Sequence, residues 1–364
     1  MIYLFYLIFF FLILRFTVTL FNFISNPKLS RSPKKFDDLV SILIPARNEA
    51  QDILSLLKSL EIQDYQNIEV LVLDDQSEDD TFQICQNFAD NHPRFKVIEG
   101  APLPKGWLGK NFACDQLAQQ AKGKYLLFLD ADEEVKNGLI NSAIYRMKIG
   151  NLSLLSLFAN QVTKTIGEKT VVPLMHYLLL NLLPLRLVKL TNNPSFSAAS
   201  GQFMLFDAAD YRKYQWHKLV KSKVVEDVEI MKSVKQHGLN GEVLLANGFV
   251  FCRMYKGYQE SLNGFSKNLL AGFGNSIIGL IIYLFLVIAG PILILIFLNF
   301  QLFYFALTLI VLSRVMIAYL SNQNVLMNVF YHVLQMFNLL VIAVLSIKKS
   351  LNKSLVWKGR TIHT

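Results

Sequence analysis

The chain has 364 residues, a net charge of +9 and 53% hydrophobic residues, an apolar share above that of ordinary soluble domains. Its three cysteines, Cys85, Cys114 and Cys252, form no CxxC pair and accompany no His cluster, which argues against a disulfide framework or a structural zinc site. Lys28, Arg31, Lys34 and Lys35 follow a first long apolar run, and Lys348, Lys349, Lys353, Lys358 and Arg360 follow the last; this placement fits a cytoplasmic membrane face and argues against nucleic acid.

Residues 1–25 are almost wholly apolar, broken by Arg15, and long enough to cross a hydrocarbon core of about 30 Å. A cleaved signal peptide fits less well, because the run is too long and no small-residue cleavage site follows. A polar, basic linker with Pro27 and Pro33 occupies 26–38. From there short apolar runs alternate with helical patterns. Residues 40–44 read as a strand, 45–49 as a turn, and a helix follows through Leu60. Residues 68–73 form a second strand that closes on Asp74 and Asp75. Ser77 is placed to cap the next helix, with Asp79 and Asp80 in its first turn, where the dipole favours acids. A third strand covers 95–98, and a Pro- and Gly-rich loop at 102–109 precedes a helix over about 110–122. Residues 125–129 are a run of apolar and aromatic residues, the pattern of a strand buried on both faces, and they end in Asp130-Ala131-Asp132. Strands spaced by helices of about 10–15 residues imply an α/β fold with a mostly parallel sheet.

Another strand is expected within 151–160. The apolar stretch 171–190 contains Pro173 and Pro184, which predicts a helix on or under the membrane rather than a span. Residues 202–206 read as a strand and 224–236 as a helix ended by Gly238. Tyr258, Leu262, Phe265, Leu269 and Phe273 recur at helical spacing, with Lys256, Glu260 and Lys267 among them. That stripe fits either an interfacial helix or a core-facing helix of the soluble domain. Residues 276–320 are apolar enough for two spans with a turn near Asn299, and 327–347 for a third. One span before a cytosolic block and three after it would put the C-terminus outside, whereas the basic tail belongs inside.

Acidic pairs close two of the expected strands, Asp74 with Asp75 and Asp130 with Asp132. Ligands of open α/β sheets bind at the carboxyl ends of the strands, so the four carboxylates can share one cleft. A DxD alone also fits a solvated turn, but clustered acids fit a hard divalent cation held together with substrate phosphates. Glu226 and Asp227 begin a further helix, where acids also serve the helix dipole. Lys110 begins another, beside Gly106 and Gly109, whose backbone could approach a phosphate closely. No GxGxxG follows the first strand, which disfavours a dinucleotide-binding dehydrogenase.

In this order and spacing, the 44–49 turn Ile-Pro-Ala-Arg-Asn-Glu, Asp74-Asp75-Gln76-Ser77, Asp130-Ala131-Asp132, Ser200-Gly201-Gln202 and Glu226-Asp227 resemble a membrane-bound family 2 glycosyltransferase with the GT-A fold. The segment 102–110, Pro-Leu-Pro-Lys-Gly-Trp-Leu-Gly-Lys, resembles the branch containing carotenoid-acid and hopanoid-associated glycosyltransferases. The resemblance implies a GT-A domain with Asp75, Asp132 and Asp227 facing one cleft. Pro45, Ala46, Glu49, Asp74 and Asp75 would hold the nucleotide, and Lys110 would lie near the diphosphate. Asp130 and Asp132 would hold the sugar-nucleotide and Mg²⁺ or Mn²⁺, with Gly201, Gln202 and Glu226 as further substrate contacts and Asp227 as general base. The implied donor is a nucleotide-diphospho-sugar, a UDP-sugar foremost, and the implied acceptor an isoprenoid-like lipid; ceramide, diacylglycerol or polyprenyl phosphate, or a silent sugar-nucleotide-binding membrane protein, are the alternatives. The region 251–258 lacks the QxxRW of processive synthases, which favours transfer of a single sugar.

The expected organisation is thus a membrane helix at 1–25, a linker at 26–38, a catalytic domain at 39–255, an interfacial helix at 256–274, about three membrane helices within 275–347 and a basic tail at 348–364. The expected location is the plasma membrane, with several spans and a cytoplasmic catalytic domain.

Overall fold

The computed structural model describes residues 1–352, 355–357 and 360–362; Lys353 and Lys358 of the expected basic tail lie outside the described residues. The apolar runs become strands β1 Val40–Ala46, β2 Ile68–Asp74, β3 Phe95–Glu99, β4 Tyr125–Leu129, β5 Glu133–Val135, β6 Leu154–Phe158, β7 Asn160–Gln161, β8 Phe203–Asp207, β9 Gly241–Leu245 and β10 Val250–Cys252. Seven of them form one sheet in the order β3-β2-β1-β4-β8-β6-β9. All its pairings are parallel except those of β8, which runs against both β4 and β6. This is the expected α/β class with a mostly parallel sheet.

Every residue of β4 is buried, as its unbroken apolar run requires. The helix Gly109–Gln120 contributes Ala113, Cys114 and Leu117 to the core on one face of the sheet. The helices Ile53–Glu61 and Leu139–Gly150 contribute Leu56, Leu60, Ile140 and Ile144 on the other. The reversed direction of β8 brings a distant segment to the end of β4. Its first residue, Phe203, pairs with Leu129, the last of β4, so residues 200–202 arrive beside Asp130. The Asp130 N–H donates to the Gln202 carbonyl at 3.3 Å.

Several elements differ from expectation. Strands β5, β9 and β10 carry no sequence signal of their own; β5, β7 and β10 form a small second sheet in which Cys252 pairs with Glu133. The stretch 171–190 is not one helix: Leu174–Leu182 and Arg186–Leu190 are separated at Pro184, and Ile166–Val171 precedes Pro173. Leu174–Leu182 packs on the first apolar helix, Ile2–Ser25, where the Asn22 amide donates to the Leu180 and Leu183 carbonyls at 3.0 and 2.9 Å. Ser77 does not cap the helix Thr81–Ala89. Its hydroxyl accepts the Asn48 N–H at 3.0 Å instead, because Gln76 takes a left-handed φ of 57° and turns the chain back toward β1. The last apolar helix begins at His332 rather than 327, after a separate turn of helix, Val325–Phe330, capped by Asn324.

Among the described residues, four helices are long and apolar enough to cross a membrane: Ile2–Ser25, Ile277–Phe297, Phe300–Leu320 and His332–Leu351. Large apolar side chains such as Phe10, Ile281, Ile296, Phe300 and Tyr304 stand exposed on them, which fits association with a bilayer. The helix Tyr258–Gly272 lies between this bundle and the sheet. Its Leu262 and Leu269 are buried, and its Tyr258 hydroxyl donates to Asn338 of His332–Leu351 at 2.8 Å.

Candidate active site

The carboxyl ends of β1, β2 and β4 open into one cleft of about 680 Å³. Two turns build its nucleotide-sized shelf. At the end of β1 and just beyond it, Pro45, Ala46, Arg47 and Glu49 line the cleft; after β2, Asp75 does. The turns are zipped together. Arg47 donates to the Asp75 and Gln76 carbonyls at 2.7 and 2.6 Å, the Glu78 N–H donates to Asn48 Oδ1 at 2.8 Å, and the Glu49 N–H donates to the Thr81 hydroxyl at 2.8 Å. Asp74 does not line the cleft. As the last residue of β2 it points into the turn, where its carboxylate accepts the Ser77 N–H at 3.0 Å. Of the acidic pair, Asp75 faces the cleft and Asp74 shapes the loop that presents it.

Lys110 enters from the start of the helix Gly109–Gln120. That start is anchored, since the Leu108 N–H donates to the Lys221 carbonyl at 2.8 Å and the Asn111 amide to Val220 at 2.9 Å. Lys110 Nζ reaches Asp130 at 2.7 Å and Glu226 at 3.5 Å. Burial opposes its charge, but Asp130 and Glu226 outweigh burial and hold it well above the usual lysine range. Gly201 lies just beneath: a Cβ there would stand 3.0 Å from Lys110 Nζ and 3.2 Å from Glu226 Oε1. Gln202 lines the same wall, and its side-chain carbonyl accepts from Gln161 and Ser200 at 3.3 Å each.

Glu226 and Asp227 open the helix Glu226–Gln236 and both line the cleft. Asp227 does more than serve its own helix. One oxygen accepts the Val228 N–H at 2.8 Å, and the other accepts the Gly201 N–H at 3.0 Å across the cleft wall. Burial raises its pKa, while those N–H groups and Lys110 work against burial. Burial pushes Glu226 up to about 7, with Lys110 opposing.

At the far side, Asp132 accepts from the Cys252 thiol at 3.4 Å. Behind it Glu133 is buried, and among the described residues both its carboxylate oxygens lack a hydrogen-bond partner. Asp132, Glu133 and Cys252 each offer a ligand atom within 4.8 Å of the others. Burial, then the neighbouring Asp130, pushes Asp132 up; burial, then Asp132, pushes Glu133 well up. The orphaned Glu133 carboxylate beside Asp132 and Asp130 suits a hard divalent cation with oxygen ligands, so these carboxylates, without the soft Cys252 thiol, fit Mg²⁺ or Mn²⁺. The sequence pattern points to Asp130 and Asp132 but not to Glu133 or Cys252. Glu133 is the next residue in the same motif; Cys252 carries no local signal, since only the β5–β10 pairing brings it there. Arg47 has no expected role in the sequence either, although it stands inside the 44–49 turn.

The site is thus an acidic cleft at the strand ends of a mostly parallel sheet, with Arg47, Lys110 and Lys267 among its lining residues. Residues 41–214 match the family model "Glycosyl transferase family 2". The chain is 27% identical over 253 residues to a 4,4'-diaponeurosporenoate glycosyltransferase of Staphylococcus haemolyticus (strain JCSC1435), covering 64% of this chain and 61% of that protein. It is 28% identical over 246 residues to the Staphylococcus aureus (strain USA300) protein of the same description, covering 65% and 62%. The matches thus span less than two thirds of these relatives' length. Among solved structures, the mannosyltransferase PcManGT from Pyrobaculum calidifontis, in complex with GDP-Man and Mn²⁺, superposes with a TM-score of 0.53 at 15% identity, covering 92% of this chain and 95% of that one. The fold is therefore GT-A.

Proposed function

We propose that this protein transfers a single sugar from a nucleotide-diphospho-sugar to a membrane lipid, with inversion at the anomeric carbon. One observation carries the reading: Asp75, Asp130, Asp132, Glu226, Asp227 and Lys110, from separate segments of the chain, converge on one cleft that also reaches Tyr255, Asn263 and Lys267 at the membrane-side helix. The shelf at 45–49 and Asp75 hold the nucleotide. Lys110, paired with Asp130 and Glu226, turns to the diphosphate when donor enters. Asp130, Asp132 and Glu133 would hold Mg²⁺ or Mn²⁺, which when bound offsets charge on the leaving diphosphate. The anomeric carbon's bond to the phosphate oxygen breaks, and its bond to the acceptor oxygen forms on the opposite face. The diphosphate leaves with the electron pair. When the acceptor is a hydroxyl, Asp227, fixed by the Gly201 and Val228 N–H groups, takes its proton. The substrate in the relatives' name, the carotenoid acid diaponeurosporenoate, supports an isoprenoid-like acceptor, and a UDP-sugar is the first donor to test. The test is incubation of purified protein with labelled UDP- and GDP-sugars and extracted lipids, followed by mass spectrometry for one hexose increment. Label appearing only in water-soluble products overturns the lipid acceptor.

We infer further that the catalytic domain faces the cytoplasm and that three helices cross the membrane: Ile2–Ser25, Ile277–Phe297 and Phe300–Leu320. The fourth, His332–Leu351, is two-faced. Its Gln335 and Asn338 donate to the Lys169 and Thr170 carbonyls at 3.1 Å each, and further along the same helix Lys349 donates to the Ser266 hydroxyl at 2.6 Å. Val333, Phe337, Leu340 and Val344 point outward. A helix tied along its length to the catalytic side, with an apolar outer face, suits the membrane plane rather than a crossing. Lys348 and Lys349 then lie on the cytoplasmic side, which removes the conflict between span count and basic tail. Leu351 is exposed, so Leu351→Cys is a fair reporter. Labelling by an impermeant maleimide in inverted vesicles but not in intact cells is expected; the opposite pattern refutes this topology.

A further inference from the structure

Arg15 lies on Ile2–Ser25 and Arg314 on Phe300–Leu320, and both are buried, with 6% and 2% exposure. The two guanidinium groups share one aromatic ring. Arg314 stacks on Tyr177 at 3.6 Å and Arg15 lies 5.2 Å from the same ring, so the two charges are no farther apart than those distances together. Arg314 also donates to His332 Nδ1 at 2.8 Å. Among the described residues no carboxylate pairs with either arginine. No Asp or Glu occurs in residues 1–36, in 169–206 or anywhere after Glu260, and these stretches supply every helix around the two arginines. Like charges stripped of water in an apolar region are costly, and they persist where an anion joins them.

Three further groups point to that anion. Arg15 Nε, Arg314 Nη2 and the Tyr283 hydroxyl are each buried without a hydrogen-bond partner among the described residues, and Tyr283 is 4% exposed. The Tyr283 ring lies 5.6 Å from the Arg15 guanidinium carbon. A small cavity of about 10 Å³, room for about one oxygen atom, is lined by Arg15, Tyr177, Val287, Pro291, Ile294 and His332. Its wall includes part of the π-helical turn Phe285–Ala289, a local departure from α-helix of the kind that gathers at functional sites.

We propose that Arg15, Arg314 and Tyr283 form a site for the oxyanion of a lipid, a carboxylate or a phosphate monoester, between the membrane helices. Depth and lining favour a lipid over a soluble ion. Arg314 stands six residues before Leu320, about 9 Å along the helix axis from its catalytic-side end, near the boundary of head groups and chains. Apolar side chains on either side suit the chain that follows the head. Two guanidinium groups with separate donors suit a planar or tetrahedral oxyanion. The proposal rests on these helices being membrane spans, and does not depend on sugar transfer.

The test measures binding without donor or turnover, so it fails or succeeds apart from the glycosyltransferase activity. Full-length protein in neutral detergent, stripped of lipid, is titrated with hexadecanoic acid, hexadecyl phosphate, hexadecanol and inorganic phosphate while thermal unfolding is followed. Either lipid oxyanion should raise the unfolding midpoint, and which of the two does so assigns carboxylate or phosphate. Arg15→Gln and Arg314→Gln should each abolish the shift. Tyr283→Phe removes one hydroxyl that has no hydrogen-bond partner among the described residues, so it should fold normally and weaken binding about tenfold, the worth of one hydrogen bond to a charged group. Equal shifts with hexadecanol, an equal shift with inorganic phosphate, or Tyr283→Phe binding as tightly as the parent would each overturn the proposal.

Discussion

Asp227→Asn separates the roles assigned to the cleft. In the native protein both carboxylate oxygens accept backbone N–H groups, from Val228 at 2.8 Å and Gly201 at 3.0 Å. An asparagine offers one oxygen and one NH₂, so whichever way it turns, one N–H loses its acceptor. Loss of a charged hydrogen bond costs about 1.5–3 kcal/mol. Relief of burying two adjacent acids offsets part of this, so a modest fall in stability is expected. The catalytic loss is distinct: a missing general base costs about 10²–10⁴-fold, or about 2.7–5.4 kcal/mol of barrier. Donor affinity should hold, because Asp75, Lys110, Asp130 and Asp132 remain. The acceptor supplies an internal control. A carboxylic acid of ordinary pKa arrives ionised at neutral pH and has no proton to give. The variant should therefore lose much more activity on a lipid alcohol than on a lipid carboxylate. Donor binding, transfer to each acceptor and urea unfolding would be measured on one preparation. A loss below about 3-fold on the alcohol, set against the range expected for a general base, or donor binding lost along with transfer, would refute the assignment of Asp227 as base.

Glu226→Gln should change how stability depends on pH. The folded protein holds the Glu226 proton up to about 7, against an ordinary value of 4.5, so its contribution is full below pH 4.5 and falls as pH rises toward 7. The variant should match the parent near pH 4 and gain up to about 3 kcal/mol on it by pH 8; a difference that does not vary with pH contradicts this. Gly201→Ala would place a Cβ 3.0 Å from Lys110 Nζ and should weaken donor binding several-fold with little change in Tm, a result that calorimetric titration with donor would show or deny. Asp132→Ala, or excess EDTA on the parent, should remove most turnover, and full activity in EDTA rules out the metal. Burial raises the Glu168 pKa, but Arg253 at 2.7 Å and the Lys164 N–H outweigh it and bring it to about 2. This pair stabilises above pH 4.5 and is lost as pH falls toward 2. Arg253→Met leaves the Glu168 carboxylate without its cation, so it should lower stability at pH 7 and flatten the acid limb of the unfolding curve; an unchanged limb removes the pair from that role.

What the sequence disclosed and what it hid depend on the range of the forces involved. β4 was legible because a strand covered on both faces must be apolar at every position, and its end then marks the cleft. Asp74 and Asp75 looked equivalent because adjacent acids do. Only the turn decides that one carboxylate serves the loop and the other faces the ligand. Ser77 had the composition of a cap, but the same hydroxyl also fits a turn two strands wide, and the neighbouring β1 loop claimed it. Glu133 and Cys252 meet through a short pairing of segments far apart in the chain, which no local pattern encodes. The helix His332–Leu351 shows how much a sequence average conceals. Averaged over a window it is apolar enough for a span, and the average erases the side on which its polar residues fall. Gln335, Asn338, Ser346 and Lys349 recur at spacings of three, eight and three, which puts them on one helical face. That face meets the helices Ile166–Val171 and Tyr258–Gly272, and Asn263 and Lys267 of the latter line the catalytic cleft. Under the topology proposed above, this helix would anchor the floor of the cleft on one side and meet lipid on the other, holding the site at the membrane surface where a lipid acceptor could enter sideways.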